Sequence, residues 1–165
     1  SLMERGLWGE SGILRTIGVA SALAPETRKS ELGLRRTMLS LHQIGGFVTL
    51  GLMGTAAYYG QQVIDGKKFK DAHQSFVAAT IISYSLTALL SVLSPPPLIR
   101  RDETSTTTIH KTLAWIHFAG MIVTPILGKL LDDDRSYADS RARFHQKAAY
   151  ITTATFALSL IIVTF

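Results

Sequence analysis

Four apolar runs, each about 20 residues long and each opening on a histidine, constrain what this chain can fold into. They start at Leu41-His42-Gln43, Ala72-His73-Gln74, Ile109-His110-Lys111 and Phe144-His145-Gln146. Basic residues precede each one: Arg35 and Arg36; Lys67, Lys68 and Lys70; Arg100 and Arg101; Arg141 and Arg143. At ~1.5 Å rise per residue, a helix of about 20 residues crosses a hydrocarbon core of roughly 30 Å. Imidazole is costly in lipid unless something uses it, and it is a strong iron ligand.

The expected spans are residues 38–60, 73–93, 109–131 and 145–165. The second stops at Pro95-Pro96-Pro97, and the third carries Pro125 as an expected kink. The connections, 61–72, 94–108 and 132–144, are short, and short connections join antiparallel neighbours. The expected fold is therefore all-α, an integral membrane up-down-up-down four-helix bundle over residues 37–165. Residues 1–36 form a separate N-terminal segment. In it Leu7, Trp8, Ile13, Leu14 and Ile17 alternate with glycines. They read either as a short interfacial helix with Trp8 at headgroup depth or as a loosely ordered tail. Pro25 is expected to end any such helix, and Glu26 to Arg36 reads as a charged linker. The start at Ser1 fits a removed targeting segment or initiation at Met3.

Composition narrows the chemistry. The 165 residues suit one domain, and a mean hydropathy of +0.23 is high for a soluble protein. Cysteine is absent, which excludes disulfides, covalent c-type haem attachment and cysteine-ligated iron–sulfur clusters. The net charge of +5 does not point to nucleic acid, because the basic residues cluster at the edges of apolar runs. There they meet lipid headgroups or haem propionates. Lys and Arg number nine on one side of the expected bundle and eight on the other, so the positive-inside rule assigns no orientation. Asp132-Asp133-Asp134 reads as a solvated loop, since adjacent carboxylates do not converge on one ion without a special turn.

Alternating topology turns sequence order into depth. His42 and His110 belong near one membrane face, and His73 and His145 near the other. Their spacings of 31, 37 and 35 residues are nearly even. Two such pairs suit two bis-histidine b haems, one near each face. Gly45 and Gly46 follow His42 at the offsets that share its helical face and leave room for a porphyrin. Ala148 and Ala149 follow His145 in the same way. His117 shares a face with His110 seven residues on, about 10 Å deeper. It is the alternative ligand to His110, or else a residue bonding a propionate or lining a quinone pocket. Tyr58, Tyr59, Tyr84, Trp115 and Tyr150 read as belt or packing residues.

The chain resembles the cytochrome b561 core. The string His110-Lys-Thr-Leu-Ala-Trp115, continuing to Thr124-Pro125-Ile-Leu-Gly128, is similar to that family's histidine–tryptophan–Pro-x-Gly helix. His42-Gln-Ile-Gly45 and His145-Gln-Lys-Ala-Ala-Tyr150 are similar to the openings of two others. The resemblance covers residues 37–165. It implies first-with-third and second-with-fourth histidine pairing around two haems. Family members carry a further helix at each end and often an ascorbate site; here there are four spans and no ascorbate motif.

The expected function is transmembrane electron transfer, with a donor at one face and an acceptor at the other. A bacterial inner membrane or a thylakoid or other organelle membrane would house it. The alternative is a non-catalytic subunit of a larger membrane complex, with structural histidines or histidines on chlorophyll magnesium.

Overall fold

A computed structural model describes residues 2–98, 105–132 and 140–164. Six helices account for most of them: α1 (Leu2–Trp8), α2 (Ile13–Thr16), α3 (Pro25–Ile64), α4 (Lys70–Val92), α5 (Thr106–Asp132) and α6 (Ser140–Thr164). No strand occurs among the described residues. Among these residues three helical stretches are long and apolar enough to cross a membrane: Lys70–Val92, Thr106–Leu131 and Ser140–Thr164.

The stretch expected as the first span lies inside α3 and is not one of the three. Gly45, Gly46, Gly51, Gly54, His42 and Gln43 dilute its apolar content. Residues 26–36, expected as a linker, are instead helical and continuous with that stretch. Pro25 begins the helix rather than ending one. Its missing N–H costs nothing in a first turn, where amide donors have no partner anyway, and Glu26 suits the positive end of the helix dipole. α3 closes on Gly66, whose φ of 80° permits the reversal into α4. Lys67 N–H donates to the Gln62 carbonyl and Gly66 N–H to that of Val63, the paired bonds that terminate many helices. α4 stops at Val92, short of Pro95, because residues preceding proline avoid the helical region. The Asp133 and Asp134 positions, with Arg100 and Arg101, lie outside the described residues.

The chain divides into two compact units, Ser1–Ile44 with Leu86–Asp102, and Gly45–Ser85 with Glu103–Phe165. In the first, the N-terminal segment is tied down by polar side chains. Trp8, 7 % exposed, donates its indole N–H to the Leu93 carbonyl at 3.1 Å. It is a packed residue of the N-terminal segment. Glu31 is buried and accepts from Arg15 at 2.6 Å and from Arg28. Arg28 also donates to the Pro96 carbonyl at 3.1 Å, and Arg35 to the Pro95 carbonyl at 2.6 Å. A run of three prolines has carbonyls but no amide donors of its own, and guanidinium groups supply the missing donors.

In the second unit α4 runs antiparallel to the second half of α3. His73 meets Ala56 while Ser83 meets Thr49. α5 and α6 are likewise antiparallel, with His145 against Thr124 and His110 against Ser159. Gly120 brings α5 and α6 close: a Cβ there would lie 2.1 Å from the Thr152 hydroxyl oxygen.

Candidate functional site

His73 is the fourth residue of α4 and His145 the sixth of α6, so both imidazoles project from first or second turns. The structure brings them together. Their ring centres are 6.3 Å apart and their planes cross at 87°. His73 Nδ1–H donates to the Ala56 carbonyl at 2.9 Å, and His145 Nδ1–H to that of Thr124 at 3.0 Å. A carbonyl can only accept, so each bond places the proton on Nδ1 and leaves the Nε2 lone pair for another partner.

That geometry suits a metal between the rings. An ion at ~2 Å from each coordinating nitrogen holds two imidazole centres about 6 Å apart. Ligating histidines characteristically donate their other N–H to a carbonyl or carboxylate. No group of three or more His, Cys, Asp or Glu side chains that could hold a bare ion occurs among the described residues. Two neighbouring imidazoles would suit a metal that brings further ligands of its own, as a tetrapyrrole does. A cavity of about 380 Å³ opens at the pair, lined by apolar groups such as Met53, Val77 and Ala149. Lys70 and Lys129 also line it. Beside it Gln146 Nε2 donates to Gln61 Oε1 at 2.6 Å, and Tyr150 donates to the same oxygen at 3.1 Å.

The other two histidines at the heads of apolar runs follow the same rule. His42 Nδ1–H donates to the Thr87 carbonyl at 2.8 Å, within the first unit. His110 Nδ1–H donates to the Ser159 carbonyl at 3.0 Å, within the second, with the Ser159 hydroxyl 2.7 Å away. A repeat underlies this pattern. His42, Ala56 and Gly60 stand 68 residues before His110, Thr124 and Gly128. His73, Thr80 and Thr87 stand 72 residues before His145, Thr152 and Ser159. The α3–α4 and α5–α6 hairpins thus carry equivalent donors and acceptors at equivalent places.

His117 departs from the rule. It is buried, its Nδ1 shares a 3.0 Å hydrogen bond with the Tyr84 hydroxyl, and its ring lies 5.0 Å from that of Phe156. Tyr84 is therefore a core residue; the sequence left it among belt and packing residues. Trp115 and Tyr58 are exposed, as belt residues would be.

The glycines of the two hairpins have different neighbours. Gly46 is buried against Leu160, whose Cδ1 lies 3.1 Å from the place of a Cβ, so here it serves contact between α3 and α6. Gly45 is half-buried. The glycines that touch imidazoles are Gly60, beside His73, and Gly128, beside His145. The signal for them was present in the sequence. Each follows the first histidine of its hairpin by 18 residues, five helical turns, and so returns to that histidine's face. Compared with family models, with curated protein sequences and with solved structures, the chain matches none of them.

Proposed function

We propose that this chain carries electrons across a membrane through two b-type haems, one held by His73 with His145 and one by His42 with His110. The observation that carries the reading is the first pair: ring centres 6.3 Å apart, planes crossed, each Nδ1 tied to a carbonyl. His42 and His110 enter by the hydrogen-bond rule they share with that pair. The same rule favours His110 over His117.

In this reading α3 from about residue 38, α4, α5 and α6 form an up-down-up-down bundle in lipid. The antiparallel contacts of α3 with α4 and of α5 with α6 support it. Residues 1–36 form the segment at one membrane surface. The resemblance to the cytochrome b561 core leads to the same ligands and the same pairing.

A bound haem supplies one-electron exchange between ferric and ferrous iron. The chain's residues bind, orient and tune. The Ala56 and Thr124 carbonyls hold His73 and His145 through Nδ1 and leave each Nε2 for a metal. By drawing on the Nδ1 proton they make each imidazole a stronger donor, which favours the ferric state. Apolar lining excludes water, and Lys70 and Lys129 place positive charge on the cavity wall. His73 and His145 together would hold the iron, and with two histidine ligands the site would supply electron transfer rather than oxygen chemistry.

The test is the absorbance of the purified protein together with pyridine haemochrome analysis. Low-spin b-haem bands that sharpen on reduction, at about two haems per chain, are expected. One haem per chain would restrict the reading to His73 and His145. A colourless stable protein, or a chlorophyll spectrum, would overturn it in favour of a non-catalytic subunit of a larger membrane complex.

A further inference from the structure

We infer that Gly60 and Gly128 are positioning residues that let the His73 and His145 imidazoles stand with crossed planes, and so set the electronic character of that iron site. The inference rests on the haem reading above.

A Cβ at Gly60 would lie 3.0 Å from Cε1 and 3.1 Å from Nδ1 of His73. A Cβ at Gly128 would lie 3.1 Å from Cε1 of His145. Both approaches are tighter than ordinary van der Waals contact. Each glycine is four residues beyond the one whose carbonyl holds the same ring, Ala56 for His73 and Thr124 for His145. The spacing has a physical reason. In an α-helix the carbonyl of residue i points at the N–H of residue i+4. A second donor bonding that carbonyl comes near residue i+4, and at Gly60 and Gly128 the absence of a Cβ lets the ring lie directly against the helix. The device occurs twice, on α3 and on α5, aimed at the two rings of one pair. The carbonyls that hold His42 and His110 are followed four residues on by Ser91 and Val163, so those rings lack it.

Alanine at either glycine would press on its imidazole. The ring must shift by a few tenths of an ångström or turn about its own bond, which weakens the Nδ1 hydrogen bond and moves the planes away from 87°. In a low-spin ferric bis-imidazole centre the angle between ligand planes governs the splitting of the iron d orbitals. Crossed planes keep two of them nearly degenerate and produce a strongly anisotropic paramagnetic signal; near-parallel planes produce an ordinary rhombic one. A weaker Nδ1 bond also makes the imidazole a poorer donor and raises the reduction potential.

The experiment is low-temperature electron paramagnetic resonance and redox titration of the oxidised full chain, comparing wild type with Gly60→Ala, Gly128→Ala and Gly51→Ala. Alanine is the better helix former, so the helices themselves are not weakened. A Cβ at Gly51 meets nothing within 4 Å, which makes that variant the control. We expect one strongly anisotropic signal in the wild type. Gly60→Ala and Gly128→Ala should each keep the full haem complement, lower the anisotropy of that signal and raise that haem's potential. Gly51→Ala should match the wild type. The inference is overturned if both variants superimpose on the wild type, or if they shed the haem without changing the signal of what remains bound. A wild type with no low-spin haem would instead defeat the haem reading itself.

Discussion

Tyr84 and His117 share a buried hydrogen bond of 3.0 Å, a side-chain partnership that none of the other four histidines' Nδ1 atoms makes with an aromatic residue. Tyr84→Phe should leave the His117 nitrogen without that partner in a dry core, at about 1–3 kcal/mol of stability. Thermal unfolding in detergent measures the loss, and haem content should stay unchanged. His117→Ala should likewise retain both haems. Loss of one haem in His117→Ala but not in His110→Ala would exchange their roles and move that iron about 10 Å deeper.

The pairing predicts which single substitutions share a phenotype. His73→Ala and His145→Ala should remove the same spectral component and leave the same other one. His42→Ala and His110→Ala should do the reverse. Haemochrome analysis should fall from about two to about one haem per chain in every case. If His42→Ala and His73→Ala abolished one and the same component, the pairing would be wrong.

The close approach of α5 and α6 at Gly120 predicts a steric couple. Gly120→Ala would place its Cβ 2.1 Å from the Thr152 hydroxyl oxygen, which is itself held by a 2.7 Å bond to the Ala148 carbonyl. Overpacking of this kind costs about 1–3 kcal/mol and at times more. Thr152→Ala in the same chain should recover most of that loss. A double-mutant cycle showing simple additivity would mean that α5 and α6 relax apart without resistance.

Glu31 anchors the N-terminal segment. Its carboxylate is the shared partner of Arg15 and Arg28, and its side chain and that of Arg15 are 6 % and 5 % exposed. Glu31→Ala leaves buried guanidinium charge uncompensated, a change worth about 3–5 kcal/mol locally. The segment should then open to trypsin after Arg15 while the haem spectrum persists. Unchanged resistance to trypsin would show that Trp8, through its bond to Leu93, suffices to hold the segment.

Part of this protein could be read from the order of its residues. The helical segments with three apolar candidate spans, and the histidines at their heads, are local properties: a run of apolar residues and the place of one side chain within it. His73 and His145 were expected to meet, and their rings do lie side by side. Pro25 and residues 26–36 were misread, because proline breaks a helix interior yet starts a helix well. Only the neighbouring residues Glu26, Arg28 and Glu31 decide which applies. The partner of Trp8 was hidden for a different reason. Its acceptor, the Leu93 carbonyl, is 85 residues away, and no local pattern announces it.

The remaining features were decided in three dimensions. Side-chain type made His42, His73, His110, His117 and His145 equal candidates. What separates His117 is the partner of its Nδ1, a tyrosine hydroxyl, where the other four reach a backbone carbonyl. Backbone acceptors are invisible to sequence because every residue has one. Glycine has the same ambiguity. Gly46 packs on Leu160, while Gly60 and Gly128 lie against imidazoles. The sequence by itself determined where small residues and histidines occur along each helix. Helix rotation and register, set by packing over many residues at once, decided which carbonyl, ring or methyl group each of them meets.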